Sequence, residues 1–191
     1  MNLGTTDEGE IGNLILRHVQ GDPQAFTKLL DTLRADLWGF LRNHVRKRED
    51  AEDLFQEVCL KVYKNLASLN EPEKFRSWIF SIAMNSVRSF FRKQKLVAVD
   101  EPVLQALDSE SLHADQPEKA MARSEELTLM RRCLAKLPER DRQILLLEVM
   151  GEIPQKEIAD QFDLNLNTVK TILRRARIRL ARMMVELERG V

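Results

Sequence analysis

The 191-residue chain predicts an all-α protein of two small helical domains joined by a flexible acidic linker. Three observations carry that prediction. Apolar residues recur at three- and four-residue spacing on both sides of a central stretch where the period fails. Glycine and proline are scarce, at 7 and 6 residues, and nothing alternates with the two-residue period of a strand. Charge divides along the same boundaries: residues 1–95 carry a net +2, residues 96–127 a net −6 and residues 128–191 a net +4. The net charge of zero is therefore an average over unlike segments and says little about nucleic-acid binding.

In the first part, Ile11, Leu14, Ile15 and Val19 repeat at helical spacing until Gly21-Asp22-Pro23 stops them. Pro23 suits the first turn of a second helix carrying Phe26, Leu29, Leu30, Leu33, Leu37, Phe40 and Leu41, predicted as one continuous element. A third helix is predicted from about Asp50 to Leu66 and a fourth from about Pro72 to Lys93. Residues 1–95 thus form a four-helix N-terminal domain. Residues 96–123 hold many acids, two prolines and no sustained period, and are predicted as linker. Residues 124–191 form the second domain. Within it, Pro138 suits the start of the helix over LPERDRQILLLEVMG and Gly151 its end.

Composition excludes several classes. No apolar run approaches the roughly 20 residues of a membrane span, and the N-terminus MNLGTTDEGE does not read as a signal peptide. Cys59 and Cys133 are far apart in helical patterns and are expected to be free thiols in a cytoplasmic protein. A metal enzyme of the helical-bundle type would need two Glu-x-x-His motifs and two further glutamates. The chain offers one match, Glu110-x-x-His113, and it lies in the linker. There is no phosphate-binding loop, nucleophile elbow or zinc spacing. No catalytic residue, metal site, cofactor or small-molecule substrate is expected.

The second domain carries the strongest signal. A short amphipathic helix (Lys156, Ile158, Ala159, Phe162) leads into an Asp163-Leu164-Asn165 turn. Asn165 is placed to cap the Thr168 amide. From Asn165 to Val185 there is no acid, yet six cations occur: Lys170, Arg174, Arg175, Arg177, Arg179 and Arg182. Val169, Leu173, Ala176 and Leu180 form an apolar stripe, and Asn167, Lys170, Thr171, Arg174 and Arg175 point the other way. Such a helix can pack on one side and read a major groove with the other, as in a helix-turn-helix. A solvated basic helix on a bundle surface is the alternative.

The first domain carries a second signal. On its third helix Leu54, Phe55, Val58, Cys59, Val62 and Leu66 cluster on one side, and Asp53, Gln56, Glu57, Leu60 and Lys64 lie opposite. Asp53, Gln56 and Glu57, with apolar Leu60 beside them, make a mixed ridge that suits a partner helix and equally suits solvent. The fourth helix interleaves Phe75, Trp78, Phe90 and Phe91 with Arg76, Arg88, Arg92 and Lys93. Five of the eleven aromatic residues fall within residues 75–91. Rings beside cations can hold single-stranded nucleic acid, or they can be core. Asn85 is an amide amid apolar and basic neighbours, free to face solvent or a base edge.

These pieces, in order, carry a resemblance: GDPQAF (21–26), AEDLFQEVCLKVY (51–63), FRSWIFSIAMN (75–85), LPERDRQILLLEVMG (137–151), then KEIADQF and NTVKTILRRAR. The chain resembles bacterial RNA polymerase sigma factors of the extracytoplasmic-function (ECF) type, from about Ile11 to Met184. The resemblance implies binding to core RNA polymerase through Asp53, Gln56, Glu57 and Leu60. It implies capture of the promoter −10 element as a single strand by Phe75, Arg76, Trp78, Asn85, Arg88, Arg92 and Lys93, with Asn85 at a base pocket. The second domain would bind the −35 element as duplex through Asn167, Thr168, Lys170, Thr171, Arg174, Arg175 and Arg177. It further implies an anti-sigma factor, often membrane-bound, as a regulatory partner. A linker of about 25 to 30 residues reaches up to about 80–100 Å, far enough for two promoter elements. Against the family pattern, Met84 stands where a base is usual and Ser89 where an acid is frequent. Asn167 replaces a common glycine and Ile172 a frequent arginine. The competing reading is a helix-turn-helix regulator that binds duplex DNA without polymerase, which leaves the residues of the first domain without a role.

Overall fold

The computed structural model describes residues 8–45, 47–97 and 127–189, all of whose regular structure is helical. Most of the predicted linker, with Glu110 and His113, lies outside the described residues. The chain forms two compact units, taken in turn.

In the first unit α1 spans Glu8–Val19, α2 Pro23–Asp31, α3 Arg34–Arg42, α4 Arg48–Asn65 and α5 Phe75–Val97. The junction of α1 and α2 follows from Gly21-Asp22-Pro23. Gly21 adopts φ +93°, a left-handed turn that a side chain would oppose. The Asp22 carboxylate accepts from the Gln24 amide at 2.9 Å, and Pro23 fills the first helical position. Arg17 donates to the same carboxylate at 2.5 and 3.0 Å. That guanidinium, then the Gln24 amide, holds the Asp22 carboxyl below its usual range.

The single helix predicted across residues 23–41 is two helices. Thr32 Oγ1 donates to the Leu29 carbonyl at 2.7 Å, and Leu33 takes φ −119°, ψ 1°, outside the helical basin. The apolar period survives this break because Leu33 and Leu37 are both buried, which is why periodicity concealed it. Likewise Pro72–Lys74 is a 3₁₀ turn rather than the start of the fourth helix, and α5 begins at Phe75.

α4 packs on α5 and α3, and α1 on α2. Leu29, Leu37, Phe40, Leu41, Val58, Val62, Ile79, Phe80 and Val87 are fully enclosed. Phe40 meets Phe80 edge-on with ring centroids 5.2 Å apart, a geometry that adds to area burial.

In the second unit α6 covers residues 127–135, α7 Glu139–Val149, α8 Gln155–Phe162 and α9 Leu166–Arg189. Pro138 directly precedes α7, and its carbonyl accepts the Arg142 amide at 3.0 Å. Cys133, Leu134, Ile144, Leu147, Ile158, Val169, Leu173 and Ala176 are buried. The predicted stripe of α9 is thus its packed face, with Leu180 at its half-buried end. Cys59 and Cys133 are both free, and burial pushes both thiols above their ordinary value.

Candidate nucleic-acid interface

The turn from α8 to α9 places the basic helix. Asp163 closes α8 in the left-handed conformation, φ 52° and ψ 52°, where aspartate is better tolerated than most side chains. Asn165 Oδ1 then accepts from the Thr168 amide at 2.8 Å and from Thr168 Oγ1 at 2.9 Å. The predicted cap is present, and it occupies Thr168. Thr171 Oγ1 donates to the Asn167 carbonyl at 2.9 Å. Asn165, Asn167, Thr168, Thr171, Ile172 and Arg175 line a shallow depression at the start of α9. Of these, Asn167 and Thr171 are exposed, and Lys170 and Arg174 are exposed on the same helix.

Two arginines of α9 are held by residues the sequence did not single out. Arg175 reaches Asp141 of α7 through Nε at 3.2 Å and Nη2 at 2.9 and 3.1 Å. Arg177 pairs with Glu148 of α7, which also accepts from Gln155 Nε2 at 2.6 Å. Asp141 and Glu148 lie two turns apart on one helix, and their partners are 34 and 29 residues away. The absence of acids from residues 165–185 is therefore not an absence of acids around them. Only a three-dimensional fold reveals such pairs. Ile172, where the family pattern has an arginine, is 6% exposed and belongs to the packed face.

In the first unit the α4 ridge faces outward. Asp53 and Gln56 are exposed, Glu57 is half-buried, and Leu60 is 60% exposed. Glu57 accepts from Lys61 Nζ at 2.5 Å, and Lys61 also donates to Ser86 Oγ of α5 at 2.9 Å. The Lys61 contact is the main cause that lowers the Glu57 carboxyl below its ordinary value, against the opposing effect of burial. Tyr63, one turn beyond Leu60 and 53% exposed, meets the rings of His18 and Phe26 at 4.8 and 5.1 Å.

Along α5 the candidate residues separate by depth. Asn85 is exposed next to buried Ser86, and Arg92 and Lys93 are exposed towards the helix end. Trp78 and Arg88 are half-buried, and burial lowers the Arg88 guanidinium from its ordinary value. Arg76 is tied to Asp36 at 2.7 Å and lies over the Phe80 ring at 5.3 Å. Of the two readings open for the rings of this helix, Phe75 takes the core one. It is 1% exposed, because it opens α5 on the face that packs inward, and its ring lies 6.4 Å from Trp78. Met84 is fully buried, so the missing cation there points to the core.

Together these features define a helical protein with a helix-turn-helix in one unit and a polar, partly basic helix pair in the other. Family models place it more narrowly: Sigma-70 region 2 matches residues 29–97, and Sigma-70 region 4 matches residues 127–180. The chain belongs to the RNA polymerase sigma factors of the ECF type. It is 29% identical over 171 residues to the ECF RNA polymerase sigma-E factor of Haemophilus influenzae, covering 86% of this chain and 89% of that protein. It is 24% identical over 174 residues to the ECF sigma factor SigW of Bacillus subtilis, covering 88% and 93%. Its fold is similar to that of CnrH in complex with the cytosolic domain of CnrY, at a TM-score of 0.62 and 22% identity over 94% of this chain and 99% of that one. It is also similar to that of the sigma factor RpoE bound to the anti-sigma factor NepR from Bartonella quintana, at 0.60 and 21% over 83% and 96%. Among the described residues no helix is long and apolar enough to cross a membrane.

Proposed function

We infer that the protein binds core RNA polymerase and directs it to promoters, acting as a transcription initiation factor with no catalytic residue of its own. The observation that carries this is the pairing, in one chain, of a region 2 domain with a capped basic region 4 helix. A regulator acting on duplex DNA alone would use the second and have no need of the first.

The division of labour follows from exposure. Asp53, Gln56, Glu57 and Leu60 present the surface suited to a helix of core polymerase. Asn85, with Trp78, Arg88, Arg92 and Lys93 around it, is suited to capture an extruded base and its flanking phosphates in the −10 element. Capture offsets part of the stacking cost of opening, on the order of 1–2 kcal/mol per step, so no ATP site is needed. Lys170, Thr171, Arg174 and Arg175 address the −35 duplex, with Asn167 and Thr168 at the helix start, while Arg177, paired with Glu148, braces the helix. Phe75 and Arg76 act from within, fixing the start of α5. The domain roles divide as residues 1–95 and 124–191, with 96–123 as tether. The protein works in the cytoplasm, where its polymerase is, and an anti-sigma factor is its regulatory partner. The complex of RpoE with NepR supports that last reading.

Co-purification with bacterial core polymerase, followed by permanganate footprinting on genomic promoter DNA, tests the function. A stable complex that opens a defined set of promoters is expected. Absence of a complex, with salt-sensitive duplex binding by the protein alone, would replace it with the polymerase-independent regulator.

A further inference from the structure

The Asp141 side chain is 5% exposed, whereas the Arg175 side chain it grips is 57% exposed. One end of this pair is fixed in the fold and the other is offered to the surface. The grip is side-on, through Nε and Nη2. A guanidinium has five N–H donors in a rigid plane. Asp141 engages those on the inner edge, leaving both Nη1 hydrogens and the outer Nη2 hydrogen directed away from the carboxylate. That outer edge has the two-point geometry that matches the O6 and N7 acceptors of guanine.

Charge argues in the same direction. A guanidinium already neutralised by a carboxylate contributes little to the counterion release that drives phosphate binding. Lys170 and Arg174 are exposed on the same helix, and among the described residues neither has an ion pair with an acid. They suit phosphates, whereas Arg175 suits a base. Holding a long side chain in place before binding also removes part of the ordering cost of the contact.

Resting on the −35 reading of α9 given above, we propose that Asp141 is a positioning residue for promoter recognition. It presents the outer edge of Arg175 to a guanine in the major groove. The neighbouring pair of Arg177 with Glu148, braced by Gln155, fixes the same helix one half-turn on.

The test uses holoenzyme assembled from the full chain and core polymerase. It selects preferred sequences from a promoter library randomised across the −35 region. Wild type is compared with Asp141→Asn, Arg175→Ala, the double variant, Arg175→Lys and Arg174→Ala. Wild type is expected to prefer guanine at one position by about tenfold, the scale of one bidentate base contact. Arg175→Ala and Asp141→Asn should each lose that preference, and the double variant should lose no more. Replacing that guanine by 7-deazaguanine should mimic the loss. Arg174→Ala should instead flatten the salt dependence more than Arg175→Ala does. A wild-type profile for Asp141→Asn, or additive losses in the double variant, would overturn the positioning role. Loss in Arg174→Ala with none in Arg175→Ala would overturn it too and leave the −35 reading standing. If no variant alters the profile or the salt dependence, the −35 reading itself falls. Should Asp141→Asn fail to fold, Arg175→Lys decides. It keeps the charge, and its ammonium can still donate to guanine O6 and N7. It cannot be gripped side-on through two nitrogens as Arg175 is, so retention of the full guanine preference would refute the positioning role of Asp141.

Discussion

Lys61 donates to Ser86 across the α4–α5 interface at 2.9 Å while holding Glu57 at 2.5 Å on its own helix. One ammonium thus joins the outward ridge of α4 to the residue beside Asn85 on α5. Ser86 is fully buried and also bonds the Glu57 carboxylate, so removing Lys61 takes away one of two partners of a hydroxyl shut off from water. Lys61→Met keeps the length of the stem and removes the charge. It is expected to destabilise the protein by about 0.5–1.5 kcal/mol, the net value of one lost hydrogen bond, measured by urea unfolding.

The same contact fixes a pH dependence. The Glu57 carboxyl is lowered from its ordinary value of 4.5, first by the Lys61 hydrogen bond. Its folded value lies below its unfolded value, so the unfolded chain binds more protons in between. The stabilisation is therefore complete above about pH 4.5 and decays as pH falls through the folded value. The stability difference between wild type and Glu57→Gln should be largest near neutrality and shrink towards zero in acid. Both side chains are over 40% exposed, so the difference at neutrality should be small and reduced by salt. A difference that grows on acidification would contradict the assignment.

At the other end of the chain, Asn165 Oδ1 satisfies two groups of Thr168 at once. Asn165→Ala should cost about 1 kcal/mol, within the usual range for a lost N-cap, seen as a lower thermal midpoint for the second domain. Asn165→Asp keeps the acceptor and should restore it.

How much of this the sequence carries depends on the range of the contact. The Asn165 cap, the Gly21-Asp22-Pro23 junction and the α9 stripe are set by residues within a few positions, and each is legible. The break at Thr32-Leu33 is local too, yet hidden, because a side-chain bond to Leu29 interrupts the helix without interrupting the apolar period. Burial of Phe75 could not be read from composition, since an aromatic beside an arginine looks alike in a core and on a binding surface. The partners of Arg175 and Arg177 lie furthest out of reach. Asp141 and Glu148 sit on another helix about 30 residues away, and no spacing rule joins them to α9. Acid-free runs are thus weaker evidence for free charge than they look.

The α4 ridge can be tested without disturbing the fold. Because Glu57 also pairs with Lys61, Asp53→Ala is the cleaner probe and the double variant with Glu57→Ala the stronger one. The double variant should bind core polymerase at least about tenfold more weakly, as expected for residues central to an interface. Binding of −35 duplex by the second domain should be retained. Titration of labelled protein with core polymerase measures the first, and fork-junction or duplex binding the second. Core binding equal to that of wild type would remove the ridge from the interface.

Asn85 separates binding from opening. It is exposed, while Met84, Ser86 and Val87 beside it are buried, so Asn85→Ala removes an amide from the surface and leaves the α5 packing intact. Surface substitutions of this kind change stability by no more than about 0.5 kcal/mol, which unfolding should verify first. A lost hydrogen-bonding contact to a captured base is worth about 1–3 kcal/mol, or roughly 5- to 150-fold in the open-complex equilibrium. Permanganate reactivity of unpaired thymines should therefore fall in Asn85→Ala holoenzyme, while its assembly with core polymerase stays unchanged. Supplying a promoter with a preformed bubble over the −10 element removes the melting cost and should restore part, not all, of the reactivity. Equal loss of assembly and opening would make Asn85 a structural residue. Full restoration by the bubble would assign it to strand separation rather than to holding the base.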